Sequence, residues 1–305
     1  MTGSDVAAER RLFLPQGVGV ILCSSACFGV MAVCVNLAAR EMGAGQIAFF
    51  RFLGSFLVML AITRGAGLQP QPGNLGALVL RGAVGATAIV LYFIGIAGAG
   101  AGLATLIQNT YPVFASIFAA LLLGERLSSR LGLALLLNLV GVGTVVVGPG
   151  LSLESRAVTG ALAAAASAVF AGVAVTAVRH LRQSEGASLI TTYFMGVAGL
   201  ITLPTLLAGL PPATPALVGA LLGVVFSSIA GQWLLHHGLG YTTAAQGSLA
   251  AATNVLAATS LEAAVFGKAV GPTMLIGALF MFAAIVIART GPTEPATEPS
   301  LPDED

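Results

Sequence analysis

Charge is what this chain has least of. Only 8% of its 305 residues are Asp, Glu, Lys or Arg, where a soluble domain carries roughly 25%. With 13 basic and 12 acidic side chains the chain cannot coat a globule of this size for water, which excludes a soluble fold. The net charge of +1 supplies no basic field for nucleic acid, so no nucleic-acid partner is expected. Cysteine is scarce too. Cys23, Cys27 and Cys34 all fall in the first apolar stretch, an odd count without the paired spacings of a zinc site. No metal and no cofactor is expected, and the thiols read as small packing residues.

Catalytic patterns are missing as well. Gly267-Lys268 is followed by Ala269, and no Walker loop occurs elsewhere, so the chain has no nucleotide-hydrolysing motif. There is no Gly-x-Ser-x-Gly, no His-Glu-x-x-His and no aspartate inside an apolar stretch. An intramembrane enzyme would need one of these, so no enzyme is expected. A channel would need a filter motif or a ring of charge, and neither is visible.

What is present is apolar length. Hydrophobic residues make up 57% of the chain. At 1.5 Å per residue a hydrocarbon core of about 30 Å takes roughly 20 residues of helix. Ten stretches satisfy this, near 17–39, 46–63, 74–97, 102–123, 130–148, 157–179, 187–208, 214–239, 244–265 and 271–289. The prediction is an all-α integral membrane protein with ten transmembrane helices. Arg10 and Arg11 mimic a twin-arginine signal, but the apolar run behind them is longer than a signal core and reads as an uncleaved first span.

Basic residues near span ends are retained in the cytoplasm. With the N-terminus inside, Arg10, Arg11, Arg64, Arg81, Arg126, Arg130, Arg179, Arg182 and Arg289 face the cytoplasm, and only Arg40, Arg156 and Lys268 face out. The expected setting is a bacterial inner membrane, with both termini cytoplasmic and the chain a monomer or a homodimer. Residues 1–16 form a cytoplasmic segment. Residues 290–305 form a Pro-, Thr- and acid-rich tail expected to be disordered.

The span region is duplicated. A shift of 142 residues sets Ser25, Ala26, Phe28, Ala32 and Val33 on Ser167, Ala168, Phe170, Ala174 and Val175. A shift of 143 sets Leu106, Ala115, Ala120 and Gly124 on Leu249, Ala258, Ala263 and Gly267. The copies are residues 17–148 and 149–289, with five spans each. Because five is odd, the second copy enters the membrane from the opposite side. Two inverted five-helix repeats make the scaffold that alternating access requires.

The residues Ser25 to Gly29 in span 1, Phe49-Phe50-Arg51-Phe52 at the start of span 2, and Gly124-Glu125-Arg126-Leu127-Ser128 after span 4 resemble the EamA family of the drug/metabolite transporter superfamily. The likeness covers residues 17 to 289. In the second half Lys268 stands in place of Glu125, and Tyr193 in place of Arg51. The resemblance implies ten spans, an inverted repeat, and transport, often outward, of amino acids or other metabolites. It is similar to the amino-acid exporter branch.

A small-molecule site is expected at the interface between the copies. Span 4 carries Thr105, Gln108, Asn109 and Ser116 on one face, next to Tyr111 and beside Pro112, which interrupts the hydrogen-bond ladder. Span 9 carries Gln246, Thr253, Asn254 and Ser260. Such groups also tie helices together, so each has two readings. The facing stripes point to a cavity. Tyr92 and Trp233, well inside spans 3 and 8, are candidate aromatic walls, with interfacial anchoring as the alternative. Ser25 and Ser167 are candidate solute contacts at matching positions. Arg51, Glu262, His236 and His237 are candidates for gating or coupling, since intramembrane ionisable groups are costly and histidine titrates near neutrality.

Overall fold

The computed structural model describes residues 16–65, 67–123, 129–147, 155–242, 244–266 and 272–289. Residues 1–15, the segment Gly124 to Ser128, the expected turn before Ser155, Lys268 and the tail after Arg289 lie outside the described residues. Among the described residues the chain forms twelve α-helices and one 3-10 helix, and no strand. The first copy contains α1 (Gln16–Ala38), α2 (Ala44–Thr63), α3 (Leu75–Ala99), α4 (Ala101–Gln108), α5 (Tyr111–Leu123) and α6 (Ser129–Val147). The second contains α7 (Ser155–Leu181), α8 (Ala187–Thr202) with the 3-10 turn Leu203–Ala208, α9 (Pro215–Leu239), α10 (Ala244–Ala251), α11 (Asn254–Phe266) and α12 (Pro272–Arg289).

Six of these, α1, α2, α3, α7, α9, and α8 with its 3-10 extension, are long and apolar enough to cross a membrane. They are apolar outside as well as inside. Leu57, Leu80, Leu162, Leu200 and Leu222 stand on the exterior, where hydrocarbon suits them and water does not.

Spans 4 and 9 differ from expectation, because each is two short helices rather than one continuous helix. The break in span 4 has a proline cause. Pro112 has no N–H, and its ring crowds the carbonyl four residues back, so α4 ends at Gln108. Span 9 has no proline at its break. Instead Ser25 Oγ lies 3.3 Å and 3.1 Å from the carbonyls of Ala250 and Ala251, the acceptors that a continuous helix would assign to the N–H groups of Asn254 and Val255. The two breaks are the same turn built twice. Thr110 Oγ1 donates to Ile107 O (2.9 Å) and Thr253 Oγ1 to Ala250 O (2.8 Å). Val113 N–H donates to Thr110 O and Leu256 N–H to Thr253 O.

The most extensive contacts join one copy to the other: α3 against α7, and α9 against α1. Both pairs run antiparallel and carry one matching bond. Ser24 Oγ donates to Gly231 O (2.6 Å) and Ser167 Oγ to Ala88 O (2.7 Å). Both the donors (24, 167) and the acceptors (88, 231) are 143 residues apart. The partner of Ser167 in the duplication is therefore Ser24, and the expected match with Ser25 is one residue out of register. Small residues let the helices approach. A Cβ on Gly29 would fall 2.9 Å from the backbone of Ala257 and Ala258, and one on Gly172 would fall 2.8 Å from that of Ala115. Glycine at 100 answers a different need, since its φ of 86° turns the chain from α3 into α4.

Each end of the bundle has its own tie between the copies. At one end Gln71 N–H and Asn74 Nδ2 both donate to Glu185 Oε1 at 2.7 Å. At the other, Thr214 Oγ1 donates to Glu41 Oε2 at 2.9 Å.

Candidate functional site

A cavity opens where the two copies meet, enclosing about 670 Å³ of space that includes the solvent at its mouth. The two broken helices border it in the same way. Gln108 and Tyr111, at the two sides of the first break, line it together with Ala251 and Asn254, at the two sides of the second. Asn109 Nδ2 donates to Asn254 Oδ1 at 2.8 Å, which fastens one break to the other. Asn138 Nδ2, on α6, holds the Asn109 carbonyl at 3.3 Å.

The rest of the wall is mostly apolar. Phe28 and Met31 come from α1, Ala88 and Ile89 from α3, Ala171, Ala174 and Val175 from α7, and Leu235 from α9. Tyr92 also lines the cavity, and its hydroxyl bonds Thr105 Oγ1 at 2.5 Å. A largely apolar chamber with a few placed polar groups is the usual form of a small-molecule site.

Of the residues singled out in the sequence, Gln108, Tyr111, Asn254 and Tyr92 line this chamber. Asn109, Thr105 and Thr253 sit behind it, bonding Asn254, Tyr92 and Ala250 respectively. Ser25 and Ser167 bond helix carbonyls and are not in the lining. Trp233 departs from its expected place. It is 38% exposed, donates from Nε1 to Ser188 Oγ at 3.2 Å, and stacks on His237 with centroids 5.4 Å apart. The reason is helical spacing: Gln232, one residue earlier, takes the inward face and lines the cavity. His237 follows Trp233 outward and tilts against Tyr241. Ser260 is exposed on α11. The side chain of Glu262 lies outside the described residues.

Arg81 is the correction with most consequence. Counted from sequence as a cytoplasmic marker, it is 5% exposed and lines the cavity. It sits six residues into α3, about 9 Å from that helix's start. Its Nη2 lies 3.2 Å from His236 Nε2, and its guanidinium carbon 4.0 Å from the centre of the Phe194 ring. Arg182, also counted as a cytoplasmic marker, is 4% exposed and donates from Nη1 to Glu185 O at 2.6 Å. A signal for Arg81 was available, since an arginine two turns inside an apolar span needs a reason to be there.

His236 is buried and three groups surround it. Its Nδ1 lies 2.7 Å from Thr191 Oγ1, and that hydroxyl gives its own hydrogen to Ala187 O at 2.7 Å. Thr191 can therefore only accept from the ring, which puts the hydrogen on Nδ1 and leaves Nε2 as an acceptor. Arg81 Nη2 and Gln232 Nε2 (2.8 Å) both point at that acceptor. Arg51 is wholly buried and lies outside the lining. Its guanidinium carbon is 5.2 Å from the Phe52 ring and 5.7 Å from the Phe93 ring.

A helical bundle of membrane-spanning length, made of two copies around a chamber, defines a multi-pass membrane protein of transporter type. The chain belongs to the EamA-like transporter family, which matches residues 15–147 and again residues 158–290. It is 30% identical over 289 residues to the pseudopaline exporter CntI of Pseudomonas aeruginosa, covering 91% of this chain and 97% of that protein. It is 26% identical over 234 residues to an uncharacterized transporter of Helicobacter pylori, covering 72% and 76%. Human solute carrier family 35 member G1 is 30% identical over 211 residues, 65% of this chain and 57% of that protein. A protein of known crystal structure superposes with a TM-score of 0.70 at 19% identity, over 89% of this chain and 96% of the other. That last likeness concerns the fold alone.

Proposed function

We propose that this protein is a secondary transporter that exports small organic metabolites by alternating access, through ten spans arranged as two inverted five-helix repeats. The six long helices supply six spans. The pairs α4/α5 and α10/α11, with α6 and α12, supply the other four. One observation carries the reading: discontinuous helices at equivalent places in the two copies meet at the chamber and are joined by the Asn109–Asn254 bond. Broken helices at the interface of repeats are where transporters hold their solutes.

The outward direction is supported by the exporter among the relatives, and the setting is a bacterial inner membrane with both termini cytoplasmic. Amino acids and related compounds are the first solutes to test, because amides such as Gln108, Gln232 and Asn254 both donate and accept. Nucleosides and drug-like compounds are the second class. The absent Walker loop leaves a solute gradient or an ion gradient as the driving force.

Solute counterflow in proteoliposomes tests the reading. A panel of labelled amino acids and nucleosides should yield at least one with saturable counterflow. Gln108→Ala and Asn254→Ala should lower that rate by about tenfold or more with unchanged membrane expression. Unchanged rates in both variants would remove the proposed site.

A further inference from the structure

Two guanidinium groups lie in the interior of the bundle, and neither has an acidic partner among the described residues. None of the three side-chain nitrogens of Arg51 has a hydrogen-bond partner, and Nε and Nη1 of Arg81 have none either. The groups are linked through rings. Arg51 stands over Phe52, Phe52 meets Phe194 edge-on with centroids 5.4 Å apart, and Arg81 stands over the other partner of that pair, Phe194. Ring faces moderate a cation's burial but carry no net charge. The one polar contact of Arg81, His236, is neutral in the tautomer its partners impose, so it accepts a hydrogen bond and cancels nothing.

A buried charge without a counter-ion is strongly unfavourable, and so is an N–H without an acceptor. The fold nevertheless makes room for this one. A Cβ at Gly85 would overlap Arg81 Nη1 and lie 2.7 Å from the Phe194 ring. Only glycine at that position leaves the guanidinium its slot in the cavity wall.

We propose that Arg81 is the anion-binding residue of the chamber and that it takes a carboxylate of the transported solute. The planar fork of N–H donors matches a carboxylate's two oxygens. Arg81 is the one cation in the described lining, which suits a single negative charge better than the near-double charge of a phosphate monoester. The apolar wall of Phe28, Met31 and Ile89 then receives the uncharged part of the solute. The proposal rests on the transport reading for its solute, but the anion site can be measured without transport.

The test uses the purified full-length chain in detergent and a matched pair of probes. N-acetyl-leucine and N-acetyl-leucinamide share their shape and differ by the carboxylate. Thermal unfolding is followed against each probe and against inorganic phosphate. The acid should stabilise the protein saturably, with an apparent affinity at least tenfold tighter than the amide. That preference should vanish in Arg81→Gln and weaken several-fold in Gly85→Ala, the second variant if the first does not fold. Equal responses to acid and amide overturn the proposal. So does an acid preference that survives in Arg81→Gln, or a response to phosphate alone. Counterflow run in parallel separates the two ideas. Transport of neutral solutes without acid preference leaves the transporter and removes the carboxylate. Acid preference without counterflow of any solute leaves the site and removes the transporter.

Discussion

At one packing position the two copies differ in kind. The first sets Arg51 against Phe93, guanidinium carbon to ring centre 5.7 Å. The second, 143 residues on in both partners, sets Phe194 against His236, centroids 6.4 Å apart. Counted from the starts of α2 and α8, the counterpart of Arg51 is Phe194 and not Tyr193. Where the copies agree, the shared feature is steric. Gly29 and Gly172 admit a neighbouring helix, Ser24 and Ser167 bond across, and Thr110 and Thr253 close the breaks. Where they disagree, the difference is electrostatic. Buried cations belong to the first copy and the neutral ring acceptor to the second. Packing has been kept twice because both copies need it, while solute recognition needs charge only once.

The largest effects should come from breaking what the copies share. Gly29→Val and Gly172→Val each press a side chain into the backbone of a neighbouring helix. Each should lower stability by about 2 kcal/mol, read as matched drops in thermal midpoint. One copy tolerating valine while the other unfolds would mean the seams are not equivalent.

Smaller and opposite effects are expected where the copies diverge. Arg51→Met removes a guanidinium without a polar partner. The relief of a burial cost of about 2.5–3.5 kcal/mol, less a lost ring contact of about 0.5–2 kcal/mol, should raise stability by about 1 kcal/mol. Phe194→Met, at the matching position, gives up ring contacts with Phe52 and Arg81 and should lower it by a similar amount. Midpoints that fall in both variants would show that Arg51 packs as an ordinary core residue. The smallest effect is the serine pair. Ser24→Ala and Ser167→Ala should each cost about 0.6 kcal/mol, the average for an interhelical bond in a membrane protein. Unequal losses by guanidinium-independent unfolding would sharpen the difference between the two α-helical seams.

Much of this could be read along the chain. Apolar runs of spanning length located the long helices, because a helix in lipid needs about 20 residues whatever surrounds it. The near-constant offset exposed the duplication. Pro112 marked the first break, since its missing N–H acts on its own turn. The second break was hidden, because its cause is Ser25, some 225 residues away in sequence. Trp233 was misplaced because two neighbouring residues of a helix point about 100° apart, and only packing decides which of Gln232 and Trp233 turns inward.

The sequence by itself therefore determined the solvent, the helices and the repeat. These follow from composition and from periodicities within one or two turns. The tertiary structure alone decided which polar groups meet. Arg81 and His236 are 155 residues apart, and Asn109 and Asn254 are 145 apart. A buried polar side chain is defined by the partner that packing brings to it, and no local pattern encodes a partner at that distance.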